Sequence, residues 1–214
     1  MLPSEEIKEK YSVIKSIFLV TLALLPIIGL FEDGPSSILV FSVFVLVYLW
    51  KGLQGFFAKL PLPLAPYFII LGSLAGAFTQ IMVQLEGLEK TFSADPVVHF
   101  FQALTIYFCV IVAWYLVLRK YDFTTWGVFW LTGIWGVAVE AILIYGSFNI
   151  FTWLFIFLVY GSFAAIPHLL TKEKFPQDRK KPTKPANLLV LIWLTAALFM
   201  AKVLILIMAA GGVK

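Results

Sequence analysis

The sequence predicts an all-α, polytopic transmembrane helical bundle of about seven spans, with the N-terminus inside and the C-terminus outside. Three observations predict it. Of 214 residues, 61% are hydrophobic and 13% charged, with a mean hydropathy of +0.96. That is too little polar surface to clothe a soluble core, so lipid is the solvent over most of the area. The apolar stretches are long and continuous, which suits helices of about 20 residues and not the short alternating strands of a barrel. Finally, the basic residues fall in alternate loops.

Each element follows from where apolar chemistry starts and stops. The first span, 11–31, follows MLPSEEIKEKYSVIK without a small-residue cleavage pattern and reads as uncleaved. It ends at the turn Glu32, Asp33, Gly34, Pro35. The second, 36–58, is interrupted by Lys51. The third, 64–85, follows the breaker Pro61, Leu62, Pro63, and the fourth, 96–118, stops at Arg119 and Lys120. The short turn Gly146, Ser147 separates the fifth, 124–145, from the sixth, 148–170. A polar, proline-broken stretch precedes the seventh, 186–210. No linker sets off a soluble domain, so residues 1–214 read as one transmembrane domain.

With the N-terminus inside, 13 of the 16 basic residues lie in inner segments, while Lys90 and Lys214 lie outside and Lys202 falls within a span. The alternation requires an odd number of spans. The most basic stretch, TKEKFPQDRKKPTKPAN, is a solvated topology determinant or a dock for anionic lipid along Lys172–Lys184. Charges so placed belong to a membrane topology, and no nucleic-acid partner is expected. The expected location is the plasma (inner) membrane of a prokaryote, with the bilayer as the main partner.

A single cysteine, Cys109, excludes an internal disulfide and a cysteine metal site. His99 and His168 are too few for a histidine-built zinc or haem centre. No H-E-x-x-H, G-x-S-x-G or P-loop pattern occurs. Neither a metal nor a cofactor is expected.

Function is sought where polar side chains interrupt the spans, because an ionisable group in hydrocarbon is costly unless paired, neutralised or hydrated. Counting 1.5 Å per residue from each span's midpoint, Glu140 lies about 6 Å to the outer side, Gln80, Gln102 and Lys202 about 4–8 Å, and His99 about 12 Å. Four helices thus send long polar side chains into one outer-half layer. His168, beside Pro167, falls in the inner headgroup zone, and Tyr160 with Ser162 would extend a polar path inward.

Faces agree with depths. Gly72, Gly76, Gln80 and Gln84 recur every four residues and form one stripe. Gly72, Gly76 and Gly136 are expected at helix contacts, where a missing side chain lets backbones approach. The third span reads G-A-F-T-Q from Gly76 to Gln80 and the fifth G-V-A-V-E from Gly136 to Glu140, an echo that a duplicated hairpin would leave.

The leading expectation is a small transporter or binding protein for a small or amphiphilic molecule. Glu140 is its central titratable group, Lys202 its counter-ion, His99 a relay at the mouth, and Gln80 and Gln102 neutral hydrogen-bonding groups. One alternative is an intramembrane enzyme acting on a lipid or isoprenoid, with Glu140 and His99 as an acid–base pair. Another is a structural or assembly subunit without a site of its own.

Overall fold

A computed structural model describes residues 35–85, 95–144, 146 and 148–210. The span expected at 11–31 lies outside the described residues. Those described are helical, with no strand among them beyond one isolated bridge, Tyr121 to Lys180. Five helices are each long and apolar enough to cross a membrane, and a bent pair supplies a sixth candidate.

That pair corrects the second span. Where one helix was expected over 36–58, α1 (Pro35–Leu49) and α2 (Lys51–Lys59) meet at 79°. Trp50 leaves the helical region between them, with φ −84° and ψ 84°. Gln54 then stabilises the corner, its amide nitrogen donating to the carbonyls of Val47 and Tyr48 at 2.7 and 2.9 Å. These belong to the end of α1, where carbonyls lack helical partners. Lys51 and Lys59 sit exposed on α2, and Tyr67 fixes that helix by donating to the Phe57 carbonyl at 2.9 Å.

Five helices follow, and three of them start on a side-chain cap. α3 (Leu64–Leu85) begins where the sequence implied, and α4 (Pro96–Leu118) has both of the bounds it implied. Asp95 caps α4 by accepting from the amides of Val97 and Val98, with Pro96 in the first turn. Thr124 caps α5 (Thr125–Gly136) through the Gly127 amide at 2.9 Å. α5 does not end at Gly136 but widens into a π-helix, Val137–Ile144. α6 (Ile150–Thr171) begins on Asn149, which accepts from the Phe151 amide, and carries Pro167 in its interior. A 3₁₀ turn, Lys172–Lys174, leads into the basic stretch, and α7 (Lys184–Ala210) closes the chain.

α6 is the hub, packing on α1, α2, α3, α5 and, more lightly, α4. α4 lies between α3 and α7, and α5 also reaches α7. One core gathers around Trp114, Tyr107 and Phe163, and a second joins Phe41 and Phe44 of α1 to Phe129 of α5. Phe44 stacks on Phe129 with centroids 5.1 Å apart. The outward faces are as apolar as the cores. On α7, Leu188, Ile192, Phe199 and Leu206 all stand exposed, Phe199 to 70%. Such faces are costly in water and not in hydrocarbon. The chain is a multi-pass membrane protein.

Candidate functional site

Polar chemistry collects at two levels of the bundle, separated by aromatic side chains. One level lies away from the basic loops, at the far ends of α3, α4 and α5. α3 and α4 meet there in antiparallel register. A Cβ added at Gly72 would overlap the Ile111 side chain, and one at Gly76 would come within 2.7 Å of Tyr107 Cβ. Further along, Gln84 donates to the Pro96 carbonyl at 2.9 Å. Between these contacts, the same register sets Gln80 opposite Gln102 and Ala103.

Gln80 is only 1% exposed, and its amide nitrogen has no protein partner. The side-chain oxygen of Gln102, a half-buried residue, is likewise buried and unpartnered. A buried donor on α3 and a buried acceptor on α4 thus stand at the same level of the two helices without bonding to each other or to any other protein group. His99 is buried one turn away on the same helix. Thr79, beside Gln80, is satisfied locally through the Ala75 carbonyl at 2.9 Å.

Glu140 lies half-buried in the π-helical segment, which packs on α6. A π turn is a rare departure from α geometry and is found frequently at functional sites. The two hairpins echo each other spatially here. Gly76 is seated against Tyr107 and Gly136 against Tyr160. The two tyrosine rings then meet, with centroids 6.5 Å apart. Gln80 and Glu140 each stand one turn beyond their glycine.

Lys202 is exposed on α7, next to the fully buried Ala201. Among the described residues no ion pair links it to Glu140. A lysine on the lipid face of a helix runs its stem toward the headgroups, which removes the need for a buried partner. An open apolar groove along α7, lined by residues such as Ile192, Ala196 and Phe199, takes in neither Glu140 nor Lys202.

The aromatic zone follows. Tyr107 packs edge-on to Phe163 at 4.9 Å, and Tyr160 lies against Trp135 and Phe163 at 5.7 and 5.8 Å. Ser162 is fully buried in this region with its hydroxyl unpartnered.

The second level lies at the basic end, and it corrects the placement of His168. Near the end of its helix but covered by protein, this imidazole is 1% exposed, with neither ring nitrogen partnered. The cause is the stretch 172–183, which folds back across the end of the bundle as a strap. Phe175, the lone aromatic in that polar stretch, is 2% exposed and sits edge-on to Phe68, with the His168 ring 6.3 Å away. Arg179 anchors the strap by donating to the Leu118 carbonyl at 3.0 Å, the Pro176 carbonyl at 2.8 Å and Asp122 at 2.6 Å. Its guanidinium lies 4.9 Å from the centre of the Phe175 ring. Lys174 donates to the Leu60 carbonyl at 2.6 Å. Sequence reasoning missed Phe175, Arg179 and the π segment. The signal for the first was an isolated phenylalanine among charges, which a free loop has no use for.

In comparisons with known proteins, no family model, no curated protein and no solved structure matches this chain.

Proposed function

We propose that the protein is a small transporter or binding protein for a small or amphiphilic molecule, held in the polar layer around Gln80, Gln102 and Glu140. The observation that carries this reading is the presence of two orphaned amide atoms, on Gln80 and Gln102, at one level of adjacent helices. A buried donor or acceptor without a partner costs about 1–3 kcal/mol. Two of them, of opposite kind, are arranged to be satisfied by a guest offering both an acceptor and a donor. Glu140 is assigned to the same site because each hairpin seats a glycine against a tyrosine one turn before its polar residue, Gly76 on Tyr107 and Gly136 on Tyr160, and transporters built from repeats bind at the interface between them. His99 would stand at the mouth. With the N-terminus inside, this layer opens to the outer half of the membrane. Lys202 has no role in it. The aromatic zone around Tyr107 and Tyr160 would form the floor and suits the apolar part of an amphiphile.

The test is a thermal-shift screen of the purified protein against small polar and amphiphilic molecules, with Gln80→Leu beside the parent. A ligand raises apparent stability by mass action. Gln80→Leu should fold as stably as the parent, since it removes an unsatisfied group, and should lose the ligand's shift. A variant that melts several degrees lower, in a protein that no compound stabilises, would make Gln80 a structural bond between helices and end this reading.

A further inference from the structure

We propose that His168 is a water-exchanging site at the basic end of the bundle, reached when the strap 172–183 opens and closed in this conformation by Phe175. The inference goes beyond the polar layer and does not depend on any cargo.

A neutral imidazole has one donor and one acceptor nitrogen, and buried polar groups are nearly always hydrogen-bonded. Here both nitrogens lack partners at 1% exposure. Neighbouring polar groups are committed elsewhere. The Thr171 hydroxyl donates to the Pro167 carbonyl at 2.7 Å, and Tyr67 to the Phe57 carbonyl at 2.9 Å. The cations at this end, Lys172, Lys174 and Arg179, are donors on the strap. Of the carboxylates, Asp122 is held by Arg179, and Glu173 and Asp178 stand exposed on the strap. Helix α6 is itself weakened at this point, because Pro167 has no N–H to offer the carbonyl four residues earlier. Water can meet every one of these needs, and the bulk phase is one strap away.

The strap is built to move. Beyond its 3₁₀ turn it has no regular structure of its own. It is held by one buried phenyl ring, by side-chain bonds to carbonyl oxygens at helix ends, and by the bridge in which the Lys180 amide donates to the Lys120 carbonyl and the Asp122 amide to Lys180. Each of these contacts lies at the end of the bundle, next to the aqueous phase, and bonds to carbonyl oxygens that water can also satisfy. Only Phe175 must leave an apolar seat.

The experiment labels histidine with diethyl pyrocarbonate in the full-length protein, reconstituted in vesicles, and follows each site by mass spectrometry. His99, at the far end, is the internal reference. His168 should react slowly in the parent, and Phe175→Ala should speed its reaction at least tenfold while leaving His99 unchanged. A second variant locks the strap without touching the seat. In a Cys109→Ala background, Tyr121→Cys with Lys180→Cys places a pair across the bridge. Bridged backbones lie about 4.8 Å apart, inside the roughly 4.4–6.8 Å that a disulfide spans. Oxidation should slow His168 labelling at least tenfold, and reduction should restore it. The same rate in the oxidised and reduced protein would overturn the proposal. So would a folded Phe175→Ala protein whose His168 stays unreactive. Neither result touches the ligand test at Gln80, so the two readings fail separately.

Discussion

Glycine decides where this bundle is tight. Gly76 has Tyr107 against it, Gly133 has the ring and backbone carbonyl of Phe157, and Gly161 has the carbonyl of Phe129 at 2.8 Å. No rotamer change relieves a clash with backbone, nor one with the Tyr107 Cβ, whose position its backbone fixes. Gly76→Leu is therefore expected to destabilise by about 1–3 kcal/mol through overpacking. Gly55 on α2 has nothing within 4 Å of an added Cβ, so Gly55→Ala should be neutral or stabilising by up to about 1 kcal/mol from helix propensity. Melting curves of the two variants in one detergent check both expectations. Equal melting temperatures would place the Gly76 face toward lipid.

The strap shows why an element without regular structure can still be specific. Arg179 has a side chain only 6% exposed, and its partner Asp122 is 55% exposed. The pair by itself is worth little, because an exposed carboxylate is well solvated. What Arg179 does for the fold is satisfy the Leu118 and Pro176 carbonyls and cover Phe175. Asp122→Asn should therefore change stability by less than about 1 kcal/mol. Arg179→Ala should cost about 1.5–3 kcal/mol, the scale of a hydrogen bond to a charged group. Equal losses in the two variants, read by thermal unfolding, would mean that the ion pair and not the carbonyl contacts holds the strap. The π segment is the other element whose form local sequence does not explain. VAVEAILI is as good an α-helical run as its neighbours. Its widening comes with the packing of Gly136 and Glu140 beside α6.

At the scale of the molecule, charge and apolar surface divide the bundle into zones. Exposed Lys51 and Lys59 of α2, Arg119 and Lys120 after α4, and Lys172, Lys180, Lys181 and Lys184 of the strap region all gather at one end. The folded chain thus brings together residues that the sequence scatters over more than 130 positions. This grouping is what the positive-inside rule acts on, and it supports a cytoplasmic basic end that would also meet anionic headgroups. Reporter fusions at Lys120, Lys181 and Lys214 are expected to read inside, inside and outside. Lys214 on the same side as Lys181 would require an even number of crossings after the strap and defeat the orientation.

The sequence by itself determined the solvent and the segments. Runs of some 20 apolar residues and the punctuation by Pro61, Pro63, Asp95 and Pro96 suffice, because transfer to lipid and backbone satisfaction depend on local composition. That is why α4 and the start of α3 were legible to the residue. The glycine stripe was legible too, since four-residue spacing fixes a face whatever lies opposite. Tertiary structure alone decided the rest. The corner at Trp50 depends on Gln54 folding back on Val47 and Tyr48, a choice that no apolar run records. Depth along a helix placed Lys202 level with Glu140, but rotation about the helix axis decides whether two side chains meet, and it turned Lys202 outward. His168 was read by its position near a span's end, whereas its surroundings were set by Phe175 arriving from a segment whose composition is that of a solvated loop. Distance along the axis is local information, while facing and covering are properties of pairs of segments.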